Sequence, residues 1–145
     1  MTIDKWDERF IRMANMIATW SKDPSSQIGC VIANDKKVLA TGYNGFPKNI
    51  LDDPERLSNR EIKYGLIIHA EMNAIYNAAF HGVPLVGATM YVAGLPICSD
   101  CAKGVIQVGI KRVVMDADLN NKKWADSWLK TEKMFRESKV EYNFI

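Results

Sequence analysis

No run of apolar residues in this 145-residue chain approaches the roughly 20 needed to cross a bilayer as a helix. The opening residues, Met1 to Trp6, lack the apolar core of a secretory signal. The expectation is therefore a cytoplasmic protein with no membrane partner. Charge of one sign is also missing: 19 basic against 17 acidic residues leave a net charge of +2. That is too little for extended electrostatic attraction to nucleic acid, so no nucleic-acid partner is expected. Internal repeats and low-complexity segments are absent. Histidine is scarce at two and cysteine at three, and an odd cysteine count where disulfides are rare does not read as a disulfide framework. What is there, 48% hydrophobic and 25% charged residues, is the composition of a globular protein. The length suits one domain, expected over residues 1–145.

The order of patterns along the chain sets the fold expectation. Trp6, Phe10, Met13, Ile17 and Trp20 recur at steps of three and four, the stripe of an amphipathic helix facing a core. Ile28 to Ala33 and Val38 to Tyr43 read as a hairpin, followed by a long aperiodic stretch from Asn44 to about Arg60 of the kind that is usually functional. Tyr64 to Phe80 reads as a helix closed by Gly82, Thr89 to Ala93 as a strand, and Cys101 to Val108 as a short helix ahead of Gly109. Arg112 to Met115 is another strand. Lys122 to Ser138 reads as a helix with Trp124, Trp128 and Phe135 on one face, and Val140 to Phe144 as a final strand. The fold class is α/β, a mixed sheet of about five strands between helices.

Cys98 and Cys101 form a Cys-x-x-Cys, and His69 completes a set of three zinc donors. Three protein donors are one short of a closed structural site, which is what a catalytic zinc with an open position requires. Glu71 lies two residues after His69. It can sit beside the metal without ligating it and move a proton to or from water. Other readings exist for each residue. A Cys-x-x-Cys alone also fits a redox pair or half of a structural zinc site, for which His81 is the spare histidine. His81 is better read as a cation near a helix C-terminus, and Cys30, between Ile28 and Ile32, as core packing.

His-x-Glu followed by Pro-Cys-x-x-Cys is the known signature of zinc deaminases. Here His69-Ala70-Glu71 and Pro96-Ile97-Cys98-Ser99-Asp100-Cys101 resemble it, with one extra residue, Ile97, before the first cysteine. Around this motif stand Ser21-Lys22-Asp23-Pro24, Gly42-Tyr43-Asn44-Gly45-Phe46-Pro47, Asp52-Asp53 and Ala102-Lys103. From about Trp6 to Phe144 the chain resembles the deoxycytidylate deaminases of the cytidine/deoxycytidylate deaminase family.

The resemblance implies a cytidine-deaminase-like α-β-α sandwich and hydrolysis of dCMP to dUMP and ammonia, feeding dTMP synthesis. It implies zinc on His69, Cys98 and Cys101, with Glu71 as the catalytic proton carrier. Ala70 N–H would bind O2 of the base, and Asn44 the sugar 3′-hydroxyl. It further implies a homohexamer activated by dCTP with Mg2+ and inhibited by dTTP, the effector site including Lys22, Gly42, Tyr43, Gly45 and Asp53. For Gly45 and the two aspartates the plainer reading is a turn and a solvated corner. Deamination of a base within RNA or DNA, and a non-catalytic zinc-binding module, are the competing functions.

Overall fold

The computed structural model describes residues 2–145. Eleven elements are formed: α1 (Lys5–Ala18), β1 (Gly29–Asn34), β2 (Lys37–Tyr43), α2 (Pro54–Ser58), α3 (Arg60–Leu66), α4 (Ala70–His81), β3 (Thr89–Gly94), α5 (Ser99–Gln107), β4 (Arg112–Ala117), α6 (Lys122–Ser138) and β5 (Glu141–Phe144). The strands make one sheet in the order β2-β1-β3-β4-β5. The β2-β1 and β1-β3 pairs are antiparallel, and the β3-β4 and β4-β5 pairs parallel. This is the expected mixed sheet.

Alternation along the three central strands builds two cores. Cys30, Ile32, Met90, Val92, Val113 and Met115 face one way and pack with Ala74 and Ile75 of α4, Val105 of α5, and Trp128 and Phe135 of α6. Val31, Ala33, Tyr91, Ala93 and Val114 face the other way, where α1 lays down Phe10, Ile11, Ala14 and Ile17. A sheet covered on both faces needs strands that are apolar on both sides, which is why β1 and β4 read as near-continuous runs of Val, Ile, Ala and Met. Among the described residues no helix is long and apolar enough to cross a membrane.

Three expectations are corrected. The aperiodic stretch after Asn44 holds α2 and the start of α3. Pro54 at the first position of α2, with Asp53 Oδ1 accepting from Arg56 N at 2.8 Å, is a start signal. The helix expected over Tyr64 to Phe80 is two helices, because Ile67 is extended and Ile68 pairs with Gly45. That tie draws three residues out of helical geometry, and α4 begins at Ala70. Finally, Trp20 lies beyond the end of α1, 54% exposed, its ring edge-on to Tyr43.

At the sheet end remote from the cysteines, α1 is bolted down by a buried ion pair. Arg112 donates to both Asp7 carboxylate oxygens at 2.8 and 2.9 Å, and the Tyr91 hydroxyl donates to Oδ1 at 2.8 Å. Burial pushes the Asp7 carboxyl up, but Arg112, the Asp4 N–H and Tyr91 outweigh it and hold the carboxyl below its ordinary value. The pair therefore contributes its full stability above the unfolded carboxylate pKa of about 3.9 and loses it as pH falls through the depressed folded value. Asp7→Ala leaves Arg112 buried without a partner and should cost about 3–5 kcal/mol at neutral pH. Urea unfolding should show that gap constant down to about pH 5 and closing below about pH 4.

Candidate active site

The site lies where the C-terminal ends of β2 and β3 meet the N-terminal end of β1, since Gly29 pairs with both Tyr43 and Ala93. Ligand crevices in open α/β sheets lie outside the carboxyl ends of strands. Two helices start there. His69 is the N-cap residue of α4, and Cys98 is the N-cap residue of α5, its Sγ accepting from Cys101 N at 3.4 Å. Extended backbone at each cap turns the side chain out of the helix and toward the other helix start.

The result is a cluster. His69 Nδ1 stands 3.3 Å from both Cys98 Sγ and Cys101 Sγ, and the three donor atoms lie within 4.8 Å of one another. A tetrahedral zinc ion with bonds of about 2.0–2.3 Å keeps its donors about 3.3–3.8 Å apart. Two sulfurs and one imidazole nitrogen at this spacing fit zinc in chemistry and in size. The Cys101 thiol donates to Cys98 and lowers the Cys98 pKa to about 4, whereas the Cys98 sulfur, burial and Glu71 push Cys101 upward. His69 is raised by its contact with Cys98 against the opposing effect of burial.

Glu71, in the first turn of α4, is 4% exposed. Burial raises its carboxyl to about 7, with the His69 charge pulling the other way. A carboxyl in that range can both accept and return a proton near neutrality. Ala70 is fully buried at the first position of α4, where an N–H has no intrahelical acceptor. Cys30 is part of the core, its thiol pushed well up by burial and by Glu71. His81 lies in the last turn of α4, just before Gly82, whose φ of 69° closes the helix.

Above the cluster opens a cleft of about 70 Å³, lined by His69, Glu71, Cys98 and Pro96 together with Asp23, Ser26, Asn44, Lys63, Tyr64, Lys123 and Trp124 among others. Lys63 is 4% exposed and pairs with Asp23 at 3.2 Å. Lys123 donates to the Tyr64 hydroxyl at 3.2 Å, an exposed bond joining α6 to α3. That bond lowers the Tyr64 pKa. The extra residue Ile97 is fully buried and its carbonyl accepts from Thr131 Oγ1 at 2.8 Å, so the insertion is taken up by core packing against α6.

The five residues expected at an effector site divide in two. Lys22 forms an ion pair with Asp52 at 3.2 Å, and both line a surface depression with Asp53 and Leu57. Gly42, Tyr43 and Gly45 instead run along α4. A Cβ on Gly42 would stand 2.4 Å from Ala74 N and 2.6 Å from Ala70 O, so only glycine lets β2 approach the helix this closely. Asn73 Nδ2 donates to the Tyr43 carbonyl at 2.7 Å, and Gly45 exchanges two backbone bonds with Ile68, the residue before His69. Asn44 is 5% exposed and lines the cleft.

Sequence reasoning did not pick out Asp23, Lys63, Tyr64 or Trp124 as cleft residues. Asp23 lies inside the Ser21-Lys22-Asp23-Pro24 segment. Tyr64 stands at the start of the single helix expected over Tyr64 to Phe80, and Lys63 lies just before it, whereas both belong to α3.

The model for the cytidine and deoxycytidylate deaminase zinc-binding region matches residues 4–117. An uncharacterized deaminase of Aliivibrio fischeri is 35% identical over 145 residues, covering 99% of this chain and 95% of that protein. Human deoxycytidylate deaminase is 41% identical over 120 residues, 79% of this chain; the match spans 66% of the human protein's length. The crystal structure of dCMP deaminase from the cyanophage S-TIM5, in complex with dCMP and dUMP, superposes with a TM-score of 0.77 over the whole of both chains at 19% identity, a likeness of fold.

The donor set makes a direct prediction. Purified protein should carry about one zinc per chain by metal analysis, and Cys98→Ser or Cys101→Ser should lower that content at least tenfold.

Proposed function

Starting from the fact that this chain belongs to the cytidine and deoxycytidylate deaminase family, we propose that it is a cytoplasmic enzyme hydrolysing dCMP to dUMP and ammonia. The observation that carries the reading is the buried carboxyl of Glu71 beside three clustered zinc donors at the floor of the cleft. His69, Cys98 and Cys101 hold the zinc. When bound there, the metal supplies a Lewis acid that lets water act as a nucleophile at neutral pH.

The remaining steps belong to the chain. Glu71 accepts one proton from the attacking water and passes it to ring N3 as the oxygen adds at C4, then accepts the second from the new C4 hydroxyl and passes it to the 4-amino group, so that the C4 carbonyl forms and ammonia leaves. Ala70 N–H, free of intrahelical bonding, binds the base oxygen O2 and fixes the ring. Asn44 receives the sugar hydroxyl. Lys123, with Tyr64 beside it at the exposed rim, supplies a cation for the substrate phosphate, a pairing worth about 1.5–3 kcal/mol for a charged hydrogen bond.

Regulation belongs to the same proposal: dCTP with Mg2+ activates, dTTP inhibits, and the enzyme assembles as a homohexamer. What supports it is the route from Gly42-Tyr43-Asn44-Gly45 to the metal cluster. Movement of this segment acts on α4 through Asn73 and on His69 through Ile68.

Replacing Glu71 by Gln removes the proton carrier while leaving the three zinc donors, so zinc content should hold and ammonia release from dCMP should fall by about 10²–10⁴-fold. Near wild-type turnover in that variant would remove the role given to Glu71. Initial rates against dCMP should be sigmoidal, become hyperbolic with dCTP and be suppressed by dTTP. Curves indifferent to both nucleotides would dismiss the regulatory part alone.

A further inference from the structure

Asp23 and Lys63 form an ion pair at 3.2 Å with side chains 6% and 5% exposed, in the wall of the cleft. A pair so far from water gains little net stability, because desolvation of both charges offsets their attraction. Its value lies in what it holds. Asp23 Oδ1 accepts from Ser25 N at 2.8 Å and Ser26 N at 3.3 Å as well as from Lys63, and its Oδ2 accepts from Asn44 Nδ2 at 3.4 Å. Asn44 Nδ2 also donates to the Ser26 carbonyl at 2.8 Å, and Asn44 Oδ1 accepts from Ile28 N at 2.9 Å.

These bonds leave the Asn44 amide one orientation. Turned over, its oxygen would face the Ser26 carbonyl and the Asp23 carboxylate, and its NH2 would face the Ile28 N–H. Both Nδ2 hydrogens are committed, so the capacity left for a ligand is the second lone pair of Oδ1. The side chain can accept a hydrogen bond and has none to give.

We propose that Asp23, its charge balanced by Lys63, is a positioning residue that locks Asn44 as a hydrogen-bond acceptor and so selects nucleotides whose sugar presents a hydroxyl donor. The proposal rests on the dCMP reading above. The only sugar hydroxyl of dCMP is the 3′-hydroxyl, and a site built to accept its hydrogen loses a partner when the hydrogen is missing.

Two measurements of kcat/KM test it. With wild-type enzyme, the 3′-fluoro analogue of dCMP keeps an acceptor of hydroxyl size but cannot donate; it should be turned over at least about tenfold less efficiently than dCMP, as should the 3′-deoxy analogue. Equal turnover of dCMP and the 3′-fluoro analogue would overturn the proposal without any variant. In the Asp23→Asn/Lys63→Met double variant no charge is left unpaired, and the new amide sets NH2 against that of Asn44. The preference for dCMP over both analogues should fall toward one, with the loss on dCMP carried by KM. A variant that slows all three substrates by the same factor assigns Asp23 a structural role only and overturns the proposal. Wild-type enzyme that releases ammonia from none of them overturns the dCMP reading itself, and this inference with it.

Discussion

Two helix N-termini meet beyond the ends of strands β2, β1 and β3, and each begins with a metal-donor side chain. His69 caps α4 and Cys98 caps α5, while Cys101 follows one turn into α5. Unpaired N–H groups and the helix dipole favour a thiolate at such a place. The positions of the two helices are in turn set by their strands: α5 fills the crossover between the parallel strands β3 and β4, and α4 lies against β2 at a distance that only Gly42 permits. The donor cluster is thus a consequence of layer packing. Neither His69 nor the cysteines could be brought together by loops of ordinary mobility with the same accuracy.

The same packing explains the cost carried by Glu71. A carboxyl at 4% exposure cannot be solvated, and its raised pKa records that penalty. His69, a hydrogen bond with Cys101 and its own backbone relieve it only in part, while Cys30 on the sheet side is a buried thiol itself pushed upward by the same carboxyl. A structural carboxylate in a core would be expected to have a cationic partner, as Asp7 has in Arg112 and Asp23 has in Lys63. Glu71 stands out by facing the donor cluster instead. Three buried acids are thereby separated by their partners: one fastens a helix, one orients an amide, and one faces the cleft.

Much of this was legible in the chain. Alternation on both faces of β1, β3 and β4, glycine after α4, and the spacing of His69, Glu71, Cys98 and Cys101 each reflect local rules, and sheet, helices and cluster follow from them. What was hidden depends on contacts between distant segments. The break between α3 and α4 comes from the pairing of Ile68 with Gly45, 23 positions earlier in the sequence, and no periodicity within residues 60–81 announces it. Nothing local to Lys63 announces its burial, which requires Asp23, 40 residues away. Pro54 after Asp53 was a readable start signal for α2, masked by the aperiodic composition around it.

Net charge is a poor guide to the cleft for the same reason. The chain as a whole is nearly neutral, yet two lysines line the cleft, and they differ in what they can offer an anion. Lys63 is neutralised by Asp23 and buried, so its charge is already spent within the protein. Lys123 is exposed at the rim and bonded to a neutral phenol, which an anion can displace at small cost because a charged acceptor outbids a neutral one for an ammonium donor. Among the described residues that line the cleft, Lys123 is the cation left available, which suits a small ligand with one anionic group. A polymer would need a track of such charges along the surface to hold its backbone. Charge at this site is therefore a matter of position and pairing, and the near-zero total is compatible with firm recognition of one phosphate.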